Sequence, residues 1–236
     1  MVAAATFTLG KITLLALADS VNPCAMAVLA MVLITILIQN PKKRKKVLYA
    51  GLAFVSAVFI GYVFYGLILV QFFKTFAEFL GKSSTYVYSG LAILSMILGA
   101  LNVKDFFFYK KGSFATEMPI FLRPKVKRAI DKVTSTRGAF VIGFLVTLFL
   151  LPCTIGPYIV ASGLISGLTF LQTIPWILYY NIIFLIPMII IVLLVYFGFT
   201  RVEDVSGWKE KNIRKLHLVA GILLFLVGLS ILLGWI

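Results

Sequence analysis

Long apolar runs alternate with short clusters of charge along this chain, and the runs are of membrane length. From 138 to 200 there is no charged side chain at all. At 1.5 Å per residue a single helix over that stretch would be ~95 Å long, about three times the ~30 Å hydrocarbon core of a bilayer. The stretch therefore reads as two spans, divided near Ser162-Gly163, Ser166-Gly167 and Pro175. With the other runs, the pattern predicts six transmembrane helices, at about 11–39, 47–73, 83–103, 138–167, 171–200 and 216–235. Pro41 and the basic block 42–46 end the first. Lys74, Glu78 and Lys82 mark the loop after the second. The expected class is an all-α integral membrane protein.

Composition agrees. The chain is 61% hydrophobic and 13% charged, against about 45–50% and about 25% for soluble domains. So much apolar surface must face lipid, and one transmembrane domain over 1–236 is expected. The net charge of +14 sits in short loops, which is a topological signal. No soluble module is present to bind nucleic acid. Ala16-Leu17-Ala18 looks like a signal-peptide cleavage site. Without a basic segment before it, and with the apolar run continuing to Ile38, it reads as part of a retained helix.

Loop charges orient the spans. The loop after the first carries five basic residues and no acid. The segment 104–137 carries nine basic and three acidic residues, and the loop after the fifth span five and three. A Lys/Arg excess marks the cytoplasmic side, so both termini are expected outside, in a multi-pass protein of the plasma or inner membrane. Within 104–137, Phe106-Phe107-Phe108-Tyr109 reads as an interfacial anchor. The stretch 119–133 reads as a helix lying on the membrane surface, anchoring the loop or docking a cytoplasmic partner.

Six spans with this polarity divide into two halves of opposite orientation, an architecture common in transporters. Repeat 1 covers about 1–103 and repeat 2 about 138–236. The only two cysteines fall at matching points: Asn22-Pro23-Cys24 in the first span and Leu151-Pro152-Cys153 in the fourth. Cys24 lies ~20 Å from Lys11 and ~22 Å from Gln39 along a helix, near mid-membrane. Proline is roughly 5% of residues, so both cysteines following one by accident is about a one-in-400 event. The plain alternative is that cysteine packs as a small apolar residue.

Proline inside a helix removes an N–H and clashes with the preceding turn. It suits the first position of a new half-helix, which Asn22 can cap. Both the first and fourth spans are therefore expected to break at Pro-Cys. Each cysteine would then sit against the positive end of a half-helix, which attracts the nucleophilic thiolate.

These residues resemble the CcdA/DsbD family of membrane thiol–disulfide electron transporters, and the short CcdA-type members in particular. The motifs that carry the resemblance are Asn22-Pro23-Cys24-Ala25 and Pro152-Cys153-Thr154-Ile155-Gly156-Pro157. No second proline follows Cys24, a departure from the proline-flanked pattern. The resemblance implies that Cys24 and Cys153 are a reversibly oxidised pair, with Pro23, Pro152 and Pro157 shaping discontinuous helices. It implies a thiol–disulfide oxidoreductase that takes electrons from cytoplasmic thioredoxin. These pass to an extracytoplasmic thioredoxin-like protein, often in support of cytochrome c maturation. Exchange through mixed disulfides needs no cofactor or metal, and electrons fall outward from thioredoxin at about −270 mV.

Asp19, five residues before Cys24, is either a proton relay for the thiol or close enough to the outer surface to be hydrated or to cap its helix. Asn102 and Asn181 are expected to bond between helices, and Gly51, Gly61, Gly66, Gly221 and Gly228 to mark close packing. Pro187 is expected to kink its helix. His217 reads as an interfacial loop residue. The competing function is a solute or ion exporter on a similar scaffold, which leaves the paired cysteines unexplained.

The cysteines are expected ~15 Å below either surface, half of the ~30 Å core, while exchange needs sulfur-to-sulfur contact. With the pair reduced, membrane-impermeant maleimides should therefore label it in right-side-out and in inverted vesicles. Labelling confined to one side under every condition would rule out a site that opens both ways.

Overall fold

The computed structural model describes residues 2–20, 23–39, 44–79, 84–109, 123–130, 135–198 and 202–233. They form helices α1 (Val2–Ser20), α2 (Pro23–Gln39), α3 (Arg44–Phe79), α4 (Ser84–Phe107), α5 (Arg123–Ile130), α6 (Thr136–Ile165), α7 (Phe170–Phe197) and α8 (Val202–Leu232), with no strand among the described residues. Among the described residues, four stretches are long and apolar enough to cross a membrane: Lys45–Thr75, Ser89–Phe107, Phe170–Phe197 and Lys211–Leu232. Shorter apolar helical stretches cover Val28–Ile38, Thr136–Leu145 and Gly156–Ile165. Length and composition make this a multi-pass membrane protein.

The helices are apolar outside and hold their polar groups within. On α3, Ile60, Phe64, Ile68 and Phe72, four residues apart, are all exposed. Ser95, Asn102, Thr147, Thr173 and Asn181 are buried. Such a surface is tolerated where the surroundings are hydrocarbon and costly in water.

Helix boundaries extend past the apolar runs. α1 begins at Val2 rather than near Lys11, which is itself buried within it. Lys74 and Glu78, expected in a loop, belong to α3. α8 starts at Val202, so the charged segment before the sixth apolar run is helical too. Lys, Glu and Arg are good helix formers, and hydropathy alone reports where lipid contact stops, not where the helix does. Part of the expected surface helix is α5, Arg123–Ile130, whose Lys125, Lys127 and Arg128 are exposed while Ile130 is buried.

The division of the uncharged stretch falls at 166–169. Thr169 caps α7, its N–H donating to Gln172 Oε1 at 3.2 Å, and Pro175 and Pro187 both lie inside that helix. Gly198 ends α7 at φ 77°, a left-handed conformation that glycine adopts without Cβ strain. The stretch expected as the first span is two helices, with Pro23 as the first residue of α2. The break expected at Pro152 is absent: α6 is helical from Thr136 to Ile165, across Pro152 and Pro157. Neighbours hold both ends of α6 in line. Thr147 abuts Gly61 on one side of the prolines, and Tyr158 abuts Gly66 on the other. A proline costs ~3 kcal/mol in a helix interior, and the packing along α6 holds the helix together against it.

α4 and α8 cross at very close range, running antiparallel. Asn102 meets His217, Gly99 faces Gly221 and Phe225, and Ala92 and Met96 face Gly228. Ser95 Oγ donates to the Leu224 carbonyl at 2.7 Å, 129 residues along the chain. The same spacing separates Cys24 from Cys153. Shifting by it also carries Gly99 to Gly228, Phe225 back to Met96, and Gly221 back to Ala92, so one set of contacts is the image of the other. α3 lies parallel to α6 and antiparallel to α7, as the pairs Phe54–Gly143, Gly66–Tyr158, Gly51–Val192 and Gly66–Ile177 show.

A Cβ on Gly99 would stand 2.8 Å from the Phe225 nitrogen and 2.9 Å from the Gly221 carbonyl, backbone atoms that cannot rotate aside. Gly99→Val should therefore destabilise the bundle by about 1–3 kcal/mol. Gly90→Val, where a Cβ meets nothing within 4 Å, should cost far less. Unfolding in mixed micelles of rising SDS fraction measures both, and equal costs would refute the close crossing.

Candidate functional site

The expected cysteine site divides between two local settings. Cys24 is the second residue of α2, directly after Pro23, at the end of the helix where N–H groups are unsatisfied. Cys153 lies in the interior of α6. Only Cys24 thus has the helix-start position expected of both, because only α2 begins at its proline. Asn22 lies outside the described residues, as do the side chains of 23–25 and 151–155, which include Pro23, Pro152 and Thr154. The helices that carry the cysteines do meet: α6 packs on both α1 and α2. Gly156 and Pro157 are buried, and Gly156 lets Leu98 of α4 approach α6.

Asp19 occupies the last turn of α1 and is 1% exposed. Such burial excludes the hydrated reading. Tyr180 of α7 donates its hydroxyl proton to Asp19 Oδ2 at 3.0 Å. The Tyr180 ring stands edge-on to that of Tyr158, with centroids 5.0 Å apart. Tyr158 of α6 donates to the Tyr62 carbonyl of α3 at 2.5 Å and accepts from Asn181 Nδ2 at 3.1 Å. Asn181 also donates to the Ile177 carbonyl of its own helix. Two buried hydrogen-bonded groups, one between α1 and α7 and one among α3, α6 and α7, thereby meet at the ring contact of Tyr158 with Tyr180.

Local sequence explains the convergence. On α7, Ile177, Tyr180, Asn181, Phe184 and Met188 recur at helical spacing and all face inward. A buried tyrosine needs a partner for its hydroxyl, and in a bundle of apolar helices the partners must come from other helices. The sequence did hold a signal for Tyr158 and Tyr180. Both lie well inside the uncharged stretch 138–200, away from the interfacial belt where membrane tyrosines usually collect.

Beside these groups lies a narrow cleft between Ile12 of α1, Ala161 and Ile165 of α6, and Trp176 of α7. Tyr158 and Tyr180 also line it. A second polar cluster sits where α4 and α8 cross. His217, expected in an interfacial loop, is inside α8 and 2% exposed. Its Nδ1 is 3.1 Å from Asn102 Oδ1. Asn102 Nδ2 donates to the Leu98 carbonyl, which turns its oxygen toward His217, so Nδ1 carries the proton. The Tyr109 ring lies 5.9 Å from the imidazole, and Asp105 is buried nearby on α4. Among the described residues no group of three or more His, Cys, Asp or Glu is placed to hold a metal.

No protein-family model, curated protein or solved structure matches the chain.

Tyr158→Phe would leave the Tyr62 carbonyl and an Asn181 N–H without the phenol oxygen between them. The expected cost is about 1–3 kcal/mol. Tyr179→Phe, which removes a partly buried hydroxyl 2.8 Å from Thr13 Oγ1, should cost about 1 kcal/mol or less. Unfolding of the two variants side by side checks the ranking, and the reverse order would contradict the buried network.

Proposed function

We propose that this protein carries thiol–disulfide electrons across the plasma or inner membrane through a redox pair of Cys24 and Cys153. The observation that carries the reading is the recurrence of Pro-Cys at a spacing of 129 residues, in a chain with no other cysteine. The architecture proposed with it is six spans in two inverted halves, with both termini outside. α1 with α2 forms the first span, and α3, α4, α6, α7 and α8 form the rest. The α4–α8 crossing supports this, since its contacts repeat under the same 129-residue shift. The contact of α6 with α1 and α2 is what a shared site between the first and fourth spans requires.

The chemistry balances without a cofactor. A thiolate of reduced cytoplasmic thioredoxin attacks the Cys24–Cys153 disulfide; one S–S bond forms as another breaks, freeing one thiol of the pair. The second thioredoxin thiol resolves the mixed disulfide, so thioredoxin leaves oxidised and the pair is reduced by two electrons. The same two steps, run outward, oxidise the pair and reduce the disulfide of an extracytoplasmic thioredoxin-like partner. The resemblance to CcdA-type proteins favours these partners, with cytochrome c maturation as the process served. Pro23 opens α2 immediately before Cys24.

Cys24→Ser and Cys153→Ser should each abolish reduction of an added thioredoxin-like protein while leaving helical content unchanged. Each single-cysteine variant should also trap a thioredoxin as a mixed disulfide, visible as a reducible band of summed mass. If either variant still transfers electrons, the pair is not the carrier; full function with both cysteines replaced would point to an exporter.

A further inference from the structure

The cleft between α1, α6 and α7 ends on the tyrosine that bonds Asp19. Its rim includes Ile165, the last residue of α6, and Trp176 in the second turn of α7. It therefore starts beside the turn that joins those helices, on the face that loop charges place outside the cell. Tyr158 is seven residues before Ile165, and Tyr180 ten after Phe170. At 1.5 Å per residue both lie about 10–15 Å beneath that turn, near the middle of the ~30 Å core. Ala161 keeps the wall small and Ser162 adds a hydroxyl. The passage has room for about one water at a time, too little for an organic solute.

We propose that this cleft is a proton path, and that Asp19 is a proton-carrying site within the membrane, loaded through Tyr180. A hydronium in the cleft gives a proton to Tyr180 Oη as the phenol's own proton crosses the 3.0 Å bond to Asp19 Oδ2. Hydronium becomes water, the carboxylate becomes the acid, and no electron moves. The reverse sequence discharges the site. Tyr158 is a positioning residue: its hydroxyl is engaged by the Tyr62 carbonyl and by Asn181, and its ring stands edge-on against Tyr180. The carboxyl lies five residues before Cys24 in sequence. Its use in protonating that thiol rests on the function proposed above; the path itself does not.

The test uses the full-length Cys24→Ser/Cys153→Ser protein in lipid vesicles, so that its outcome is independent of the redox reading. Infrared spectra recorded after transfer into D2O follow the carboxylic C=O band of Asp19, assigned by its loss in Asp19→Asn. The band should shift as the acid exchanges its proton. Exchange should be ~100-fold slower in Tyr180→Phe, the scale on which a positioned proton-transfer group acts. It should also slow in Ala161→Leu, which fills the cleft. The amide band of the same spectra reports whether each variant is folded. Unchanged exchange in both folded variants overturns the path, as does the absence of an Asp19 acid band from acidic to neutral buffer.

Discussion

Hydrocarbon cannot donate or accept a hydrogen bond, and every feature of this bundle answers to that constraint. Backbone groups are satisfied inside helices that run past the apolar segments on both sides. Polar side chains turn inward, where other helices supply their partners. Tyr158 is the clearest case. One hydroxyl joins α6 to the α3 backbone and to Asn181 of α7, while its ring stands edge-on to Tyr180, the partner of Asp19. A serine or threonine can return its hydroxyl to a carbonyl of its own helix, as Thr35 and Ser230 do. A tyrosine reaches too far for that, so it ties helices together.

Close approach of backbones is the other source of cohesion. Lipid tails are as apolar as leucine, so helix association relies on packing and hydrogen bonds rather than on exclusion of water. At the α4–α8 crossing, Gly99, Gly221 and Gly228 bring backbone atoms near enough that no Cβ would fit, and Ser95 bonds directly to a main-chain carbonyl. The same tight packing accounts for the unequal prolines. α6 is gripped by α3 on both sides of Pro152 and by α4 beyond it, and stays one helix. α2 simply begins at Pro23, where a missing N–H costs nothing. Two similar motifs thus meet different backbones, and only one of them puts its cysteine at a helix start.

Hydropathy by itself determined the all-helical class, the multi-pass membrane character, the helix start at Pro23 and the basic helix α5, because these depend on local composition and on proline chemistry. It also flagged Asn102 and Asn181 as bonds between helices, and both are. The burial of Asp19 and His217, the continuity of α6, and the tyrosines around Asp19 were decided by tertiary structure alone. A charge near the end of an apolar run is equally compatible with water and with a partner on another helix. Which one it meets depends on rotation and register between helices, set by glycine contacts such as Gly66 with Tyr158 and Gly99 with Gly221, and no pattern along one segment encodes the face that its neighbour presents.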